Sequence, residues 1–136
     1  MIAEYIQKLT DADMFKVEPE IPYAKDYDTC INEAKERQAS HNAPIKEDIP
    51  DISSYEVIYI GSPVCWGDMP EELVTALKNV DLIGKVIRPF VTHEGSGLAN
   101  IPSQIKEVCK GAEVMNGLAI RGSAVGSSKN KVEEWL

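Results

Sequence analysis

Tyr55-Glu56-Val57-Ile58-Tyr59-Ile60-Gly61-Ser62-Pro63-Val64-Cys65-Trp66-Gly67-Asp68-Met69-Pro70 decides how the rest of this chain is read. It opens as β-branched and aromatic residues, apolar at nearly every position. A strand buried on both faces, like those in the middle of a parallel sheet, has that composition. Gly, Pro, Trp and Gly-Asp then break the run into a loop. Pro70-Glu71-Glu72-Leu73 restarts it with Pro and acids, the residue types favoured in a helix's first turn. Open α/β sheets build ligand sites from strand, loop and helix in that order, at the carboxyl ends of their strands.

Toward the C-terminus the pattern repeats. A helix over residues 70–79 carries a buried stripe of Leu73, Val74 and Leu77. Gly84 punctuates, and Lys85-Val86-Ile87-Arg88-Pro89-Phe90-Val91 forms the next strand, with Pro89 as an objection because it cannot donate to a ladder. Its loop is Thr92-His93-Glu94-Gly95-Ser96-Gly97. A helix with Ile101, Ile105, Val108 and Cys109 on one face follows, closed by Gly111. The last strand covers residues 113–120, and Gly126-Ser127-Ser128 leads into a terminal helix with Val132, Trp135 and Leu136 apolar.

Toward the N-terminus, Ile2, Tyr5, Ile6 and Leu9 fall on one helical face, so a helix begins with the chain. Residues 14–18 read as a short strand stopped by Pro19 and Pro22. Asp28 is positioned to cap a helix through residues 29–38 with Ile31 and Ala34 inward, and residues 40–54 read as a long surface connection. Helix and strand alternate throughout, which implies a mostly parallel sheet covered on both faces. No repeat or linker divides the 136 residues, so residues 1–136 are expected to form a single domain.

The charge balance narrows the function. The formal net charge is −8, from 22 acidic and 14 basic residues, with no dense basic patch. Nucleic acid and anionic membranes are therefore poor partners. No apolar run reaches membrane length and no signal peptide is visible, which points to the cytoplasm. Three widely spaced cysteines (Cys30, Cys65, Cys109) and two histidines (His41, His93) suit reduced thiols rather than a disulfide scaffold or a metal centre.

The motif from Gly61 to Pro70, the motif Thr92-His93-Glu94-Gly95-Ser96-Gly97-Leu98 and the stretch Gly117-Leu118-Ala119-Ile120-Arg121-Gly122 together resemble the flavodoxin-like family, in its small bacterial branch. The resemblance covers nearly the whole chain. It implies a flavodoxin-like α/β fold, a mostly parallel sheet with helices on both faces, in strand order 2-1-3-4-5. It also implies a non-covalent FMN between the two loops, with Ser62, Pro63, Val64, Cys65, Trp66, Gly67 and Asp68 on one wall and Thr92, His93, Glu94, Gly95 and Gly97 on the other.

One departure stands beside that match. The family's N-terminal strand and the Ser/Thr/Asn-rich loop that grips the FMN phosphate are absent, because the chain opens inside the first helix. The missing strand belongs in the middle of the sheet, between residues 14–18 and the strand at 57–60. Its loss leaves unpaired backbone rows there. A truncated chain, a strand taken from a partner and a remnant that has lost FMN are the three accounts. The intact loops favour the first two.

The residue types suit a flavin ring. Trp66 offers a face for offset stacking, with a loop-anchoring tryptophan as the plainer reading. Gly67-Asp68 resembles the family turn that offers a carbonyl to the ring's N5 edge, and is otherwise an ordinary turn before a helix. Gly95 and Gly97 allow backbone N–H groups to approach the N1–O2 edge, where donors tune the cofactor. Cys65 is expected to be a small buried apolar residue, and Arg121 to pair with a nearby carboxylate. No catalytic residue is assigned. A hydrolase built on Ser62 or Cys65 with His93 lacks the G-x-S-x-G elbow and an acid to orient the histidine.

Two functions follow as expectations. One is an FMN-dependent redox protein, either an electron carrier or a small oxidoreductase, working with a redox partner protein or a small-molecule acceptor. The other is a cofactor-free scaffold that associates through its incomplete sheet, with a partner or as a homo-oligomer.

Overall fold

The computed structural model describes every residue except Met1, Cys65 and Glu94, together with all described side chains except those of Tyr27 and Val125. Its elements run α1 (Ile2–Thr10), α2 (Tyr27–Ser40), β1 (Val57–Pro63), α3 (Glu71–Lys78), β2 (Val86–His93), α4 (Ile101–Val108), β3 (Glu113–Val114), β4 (Leu118–Arg121), a 3-10 turn (Gly122–Ser127) and α5 (Lys129–Trp135).

The sheet is parallel and centred on β2. β1 pairs along one side of it, from Val57 opposite Val86 to Pro63 opposite Thr92. β3 and β4 pair in tandem along the other side, Glu113 opposite Val86 and Leu118 opposite Phe90. The single expected strand at 113–120 is thus two short ones with a gap at residues 115–117.

That gap answers the objection raised by Pro89. In a parallel strand, alternate residues turn their backbone groups to opposite neighbours. Glu113 and Met115 N–H donate to the carbonyls of Lys85 and Ile87, so the odd-numbered residues of β2 face β3 and β4. Pro89 is next in that row and lies opposite the interruption, where no ladder bond is required of it. It is fully buried there. Gly117 completes the fit, since a Cβ on it would stand 2.8 Å from Leu98 Cδ2 and 3.4 Å from the Pro89 carbonyl.

Side-chain alternation along β1 and β2 fills two cores, one on each face of the sheet. Ile60, Ile87 and Val91 point to α3 and α4, meeting Met69, Val74, Leu77, Ile101 and Ile105. Phe90 points the other way with Ile120, meeting Ile2 and Ile6 of α1 and Val132 of α5. The stripe expected on α3 is there, Val74 and Leu77 buried and Leu73 half-buried, with Ala76 added to it.

Gly61 makes the second core possible. It sits opposite Phe90 in the register, and a Cβ on it would lie 2.3 Å from Phe90 Cζ. Gly61→Ala is expected to destabilise the protein by about 1–3 kcal/mol, because the ring must leave its rotamer or push the strands apart. Urea unfolding checks it, and an unchanged midpoint would show that the ring moves freely.

The short strand expected at 14–18 does not form. Residues 11–18 make no ladder, and Met14 and Phe15 are exposed. A strand exists only by pairing, and the nearest pairing is one antiparallel bridge, Pro19 with Ile45. The cap of α2 also differs from expectation. Asp26, not Asp28, accepts from Thr29 N at 3.0 Å and Thr29 Oγ1 at 2.8 Å, the three-residue reach that an N-cap needs.

Among the described residues β1 pairs with β2 alone. Val86 N–H donates to Glu56 and Val64 N–H to Thr92, which places the even-numbered residues of β1 on the β2 side. Val57, Tyr59, Gly61 and Pro63 therefore turn their backbone groups to an open edge.

Cys109 lies under α4 at 5% exposure, and burial pushes its thiol up to about 11. The thiolate is the nucleophile, so Cys109 is expected to resist alkylation at neutral pH in the folded protein and to react on unfolding. Peptide mapping after iodoacetamide treatment checks this, and prompt labelling of native protein would contradict it.

Candidate functional site

β1 and β2 end side by side at the carboxyl edge of the sheet, and the loops that follow them leave together. The two loops are tied at both ends. Val64 N–H donates to the Thr92 carbonyl at 3.1 Å where they start, and Asn100 N–H donates to the Gly67 carbonyl at 3.0 Å where they finish. Asn100 adds a side-chain bond, Nδ2 to Asp68 Oδ1 at 3.2 Å, in place of capping α4. Met69 N–H donates to Gln104 Oε1 at 2.7 Å, and Met69 itself is fully buried.

α2 grips the first loop from its other side. Gln38 Nε2 donates to the Met69 carbonyl at 3.1 Å. Trp66 Nε1 donates to the Ile31 carbonyl at 2.9 Å, and Lys35 Nζ stands 5.0 Å from the Trp66 ring centre. The ring is nevertheless 53% exposed. An exposed indole held by its N–H is a flat apolar face presented in a fixed place. Trp66 and Gly67 sit at φ 55° and 83°, the left-handed pair that turns the chain here.

α2 is held in turn by a buried carboxylate. Glu72, 4% exposed in the first turn of α3, accepts from Tyr23 Oη at 2.7 Å and from Arg37 Nη1 at 2.6 Å. The Arg37 guanidinium lies 3.9 Å from the Tyr23 ring centre. Glu71 beside it accepts from His41 Nδ1 at 3.2 Å. Burial, then the bond and charge of Glu72, push the Tyr23 hydroxyl well above its ordinary value.

The second wall is more open. Thr92 and His93 are half-buried, Gly95 and Gly97 have φ of 132° and 65°, and a Cβ on Gly97 would meet nothing within 4 Å. Gly95 N–H donates to His93 Nδ1 at 2.9 Å. Ser62 is buried, its Oγ donating to the Pro63 carbonyl at 2.6 Å. Cys65 and Glu94, both assigned to this site from the sequence, lie outside the described residues. The Gly67 carbonyl expected at the N5 edge is engaged by Asn100, which leaves it one lone pair for a ligand. Arg121, expected to pair with a carboxylate, has no such partner among the described residues.

Sequence reading missed the supports. Ile31, Lys35 and Gln38 are on a helix read only for its inward Ile31 and Ala34, and Asn100 and Gln104 carry no role in the sequence reading.

Across residues 1–136 the chain matches the sequence profile of the family described as Flavodoxin. It belongs to the flavodoxin family. Solved structures agree on this flavodoxin fold. A provisionally named flavoprotein from Bacteroides uniformis superposes with a TM-score of 0.84 at 20% identity, over 98% of this chain and 86% of that one. One from Bacteroides eggerthii gives 0.83 at 22% identity, over 99% and 86%. A flavoprotein from Lactobacillus acidophilus, solved in complex with FMN, gives 0.71 at 26% identity, over 93% and 87%. No curated protein matches the chain. No helix among the described residues is long and apolar enough to cross a membrane.

The described part of this flavodoxin site suits the ring of a flavin. It offers an exposed indole fixed at its N–H and a facing loop whose glycine backbone is uncovered. Neither of two cavities among the described residues takes in Trp66 or Gly67, and one of them takes in His93.

Proposed function

We propose that this protein binds FMN between the loops after β1 and β2 and serves as a redox protein. The observation that carries the reading is Trp66, an exposed indole locked to α2 on a loop that is tied twice to its neighbour. In this reading Trp66 stacks on the ring. The backbone N–H of Gly97 serves its N1–O2 edge, the Gly95 N–H being held by His93 Nδ1, and Ser62, Pro63, Val64, Asp68, Thr92, His93 and Gly95 line the cleft. FMN when bound supplies a one- or two-electron acceptor; the chain's residues hold and orient it. A redox partner protein or a small-molecule acceptor in the cytoplasm completes the reaction, and the Lactobacillus relative solved with FMN supports the choice of cofactor.

Titration of FMN with monitoring of its fluorescence tests this. Quenching by the wild type, weakened about tenfold in Trp66→Ala through lost stacking and buried area, is expected. A colourless preparation that leaves FMN fluorescence unchanged would overturn it.

The open edge of β1 favours one second reading, a scaffold completed by a parallel strand from a partner or a second copy. Sedimentation separates the two: a stable monomer that binds FMN leaves only the first.

A further inference from the structure

A second concavity lies on the same edge of the sheet, beyond the flavin loops. It has a volume of about 460 Å³, inside the range of about 300–1,000 Å³ usual for small-molecule sites. It opens where β2 and β4 end, and its walls carry His93, Arg121, Ser127, Ser128, Asn130 and Lys131. We propose that this cavity is a phosphomonoester-binding site.

The charge makes the first argument. The chain carries 22 acidic residues against 14 basic ones, yet among the described residues this lining holds two permanent cations and no carboxylate. Glu133 on α5 faces a separate cavity with Leu9, Tyr59 and Leu136. Among the described residues Arg121 and Lys131 enter no ion pair, in a chain where Arg37, His41 and Lys46 do. Two cations on one cavity wall, with no countercharge among the described residues, repel each other, and an anion between them removes that cost.

The donors make the second. With Gly95 N–H donating to His93 Nδ1, the neutral ring carries its proton on Nε2 and has a donor to offer. Ser127 Oγ donates to the Ala124 carbonyl at 3.3 Å, a long bond that a charged acceptor would outcompete. Guanidinium, ammonium, imidazole, hydroxyl and amide donors around one space match the acceptor oxygens of a phosphate. Ala119 and Ile120 give the cavity an apolar floor. A bare anion has no use for such a floor, whereas the organic part of a phosphomonoester does. The site stands whether or not the two loops hold a flavin ring.

Titration of the whole chain with phenyl phosphate, followed by amide ¹H–¹⁵N shifts, tests the proposal. Saturable shifts at Arg121, Gly122, Ser127 and Asn130 are expected, and phenol alone should produce none. The double variant Arg121→Gln/Lys131→Gln, both exposed positions, should keep the thermal midpoint and bind about tenfold or more weakly. No saturable shift at millimolar phenyl phosphate, or equal affinity in the double variant, overturns the site even if FMN fluorescence is still quenched. Competition identifies the source of the phosphate. Displacement of phenyl phosphate by FMN but not by riboflavin assigns it to the flavin, and simultaneous binding assigns it to a separate phosphorylated ligand. Either result supports the cavity as the site.

Discussion

Replacing Arg37 by alanine is expected to cost about 3–5 kcal/mol, close to half the stability of an ordinary domain of this size. Arg37 is 13% exposed and Glu72 5% by side chain, so the loss strands a carboxylate away from water with only the Tyr23 hydroxyl against it. The thermal midpoint should fall by about 10–20 °C. If the cause is the stranded charge, Arg37→Met combined with Glu72→Gln should recover most of the loss, because the double change removes charge and countercharge together. Equal damage in single and double variants would trace the effect to packing on the Tyr23 ring, which lies 3.9 Å away.

The same cluster has a pH signature. Tyr23 is held above its ordinary value of 10.0 by burial and by Glu72, so its folded form keeps the proton that the unfolded chain gives up. That contribution is complete below pH 10 and is lost as pH rises beyond it. Tyr23→Phe should therefore flatten the alkaline limb of the stability curve.

The second large effect is expected at Trp135. Its ring meets Tyr59 and Phe90 edge-on, at 6.0 Å and 6.2 Å between centres, and its Nε1 donates to the Asn116 carbonyl at 3.0 Å. Arg88 stands 4.5 Å from the ring and donates to the carbonyls of Trp135 and Leu136, closing the C-terminal end of α5 with positive charge. One side chain thus ties α5 to β1, to β2 and to the gap between β3 and β4. Trp135→Ala should cost about 3 kcal/mol, the low end for tryptophan because the ring is only half-buried. Trp135→Phe should restore part of this but not the bond to Asn116. Urea unfolding followed by circular dichroism measures both, and a loss under about 1 kcal/mol would mean that α5 is held by Val132 alone.

Most of the architecture was legible in local patterns. The apolar run at Val57–Ile60, the stripe of α3 and the face of Ile101 and Ile105 each appear where their periodicities put them. What local pattern cannot carry is pairing. Residues 14–18 have strand-like composition and lack a neighbour, so they stay irregular. Residues 113–120 have a neighbour, but one that presents Pro89, so they divide. The candidate site shows the same split. The loop residues were visible because Gly, Pro and Trp are conspicuous. The grip of Ile31 and Gln38 was not, because a backbone carbonyl and an amide on a polar helix leave no mark in the sequence.

The interruption opposite Pro89 has a mechanical consequence. On the side of β2 away from β1 the sheet is two short ladders in series, a basal one of two pairings between β2 and β3 and a rim of four between β2 and β4. His93 and Arg121, opposite each other at the end of the rim, belong to the longer and better-buried ladder, so the two-pair base is expected to fray first. The cationic residues thus sit on the firmer of the two ladders.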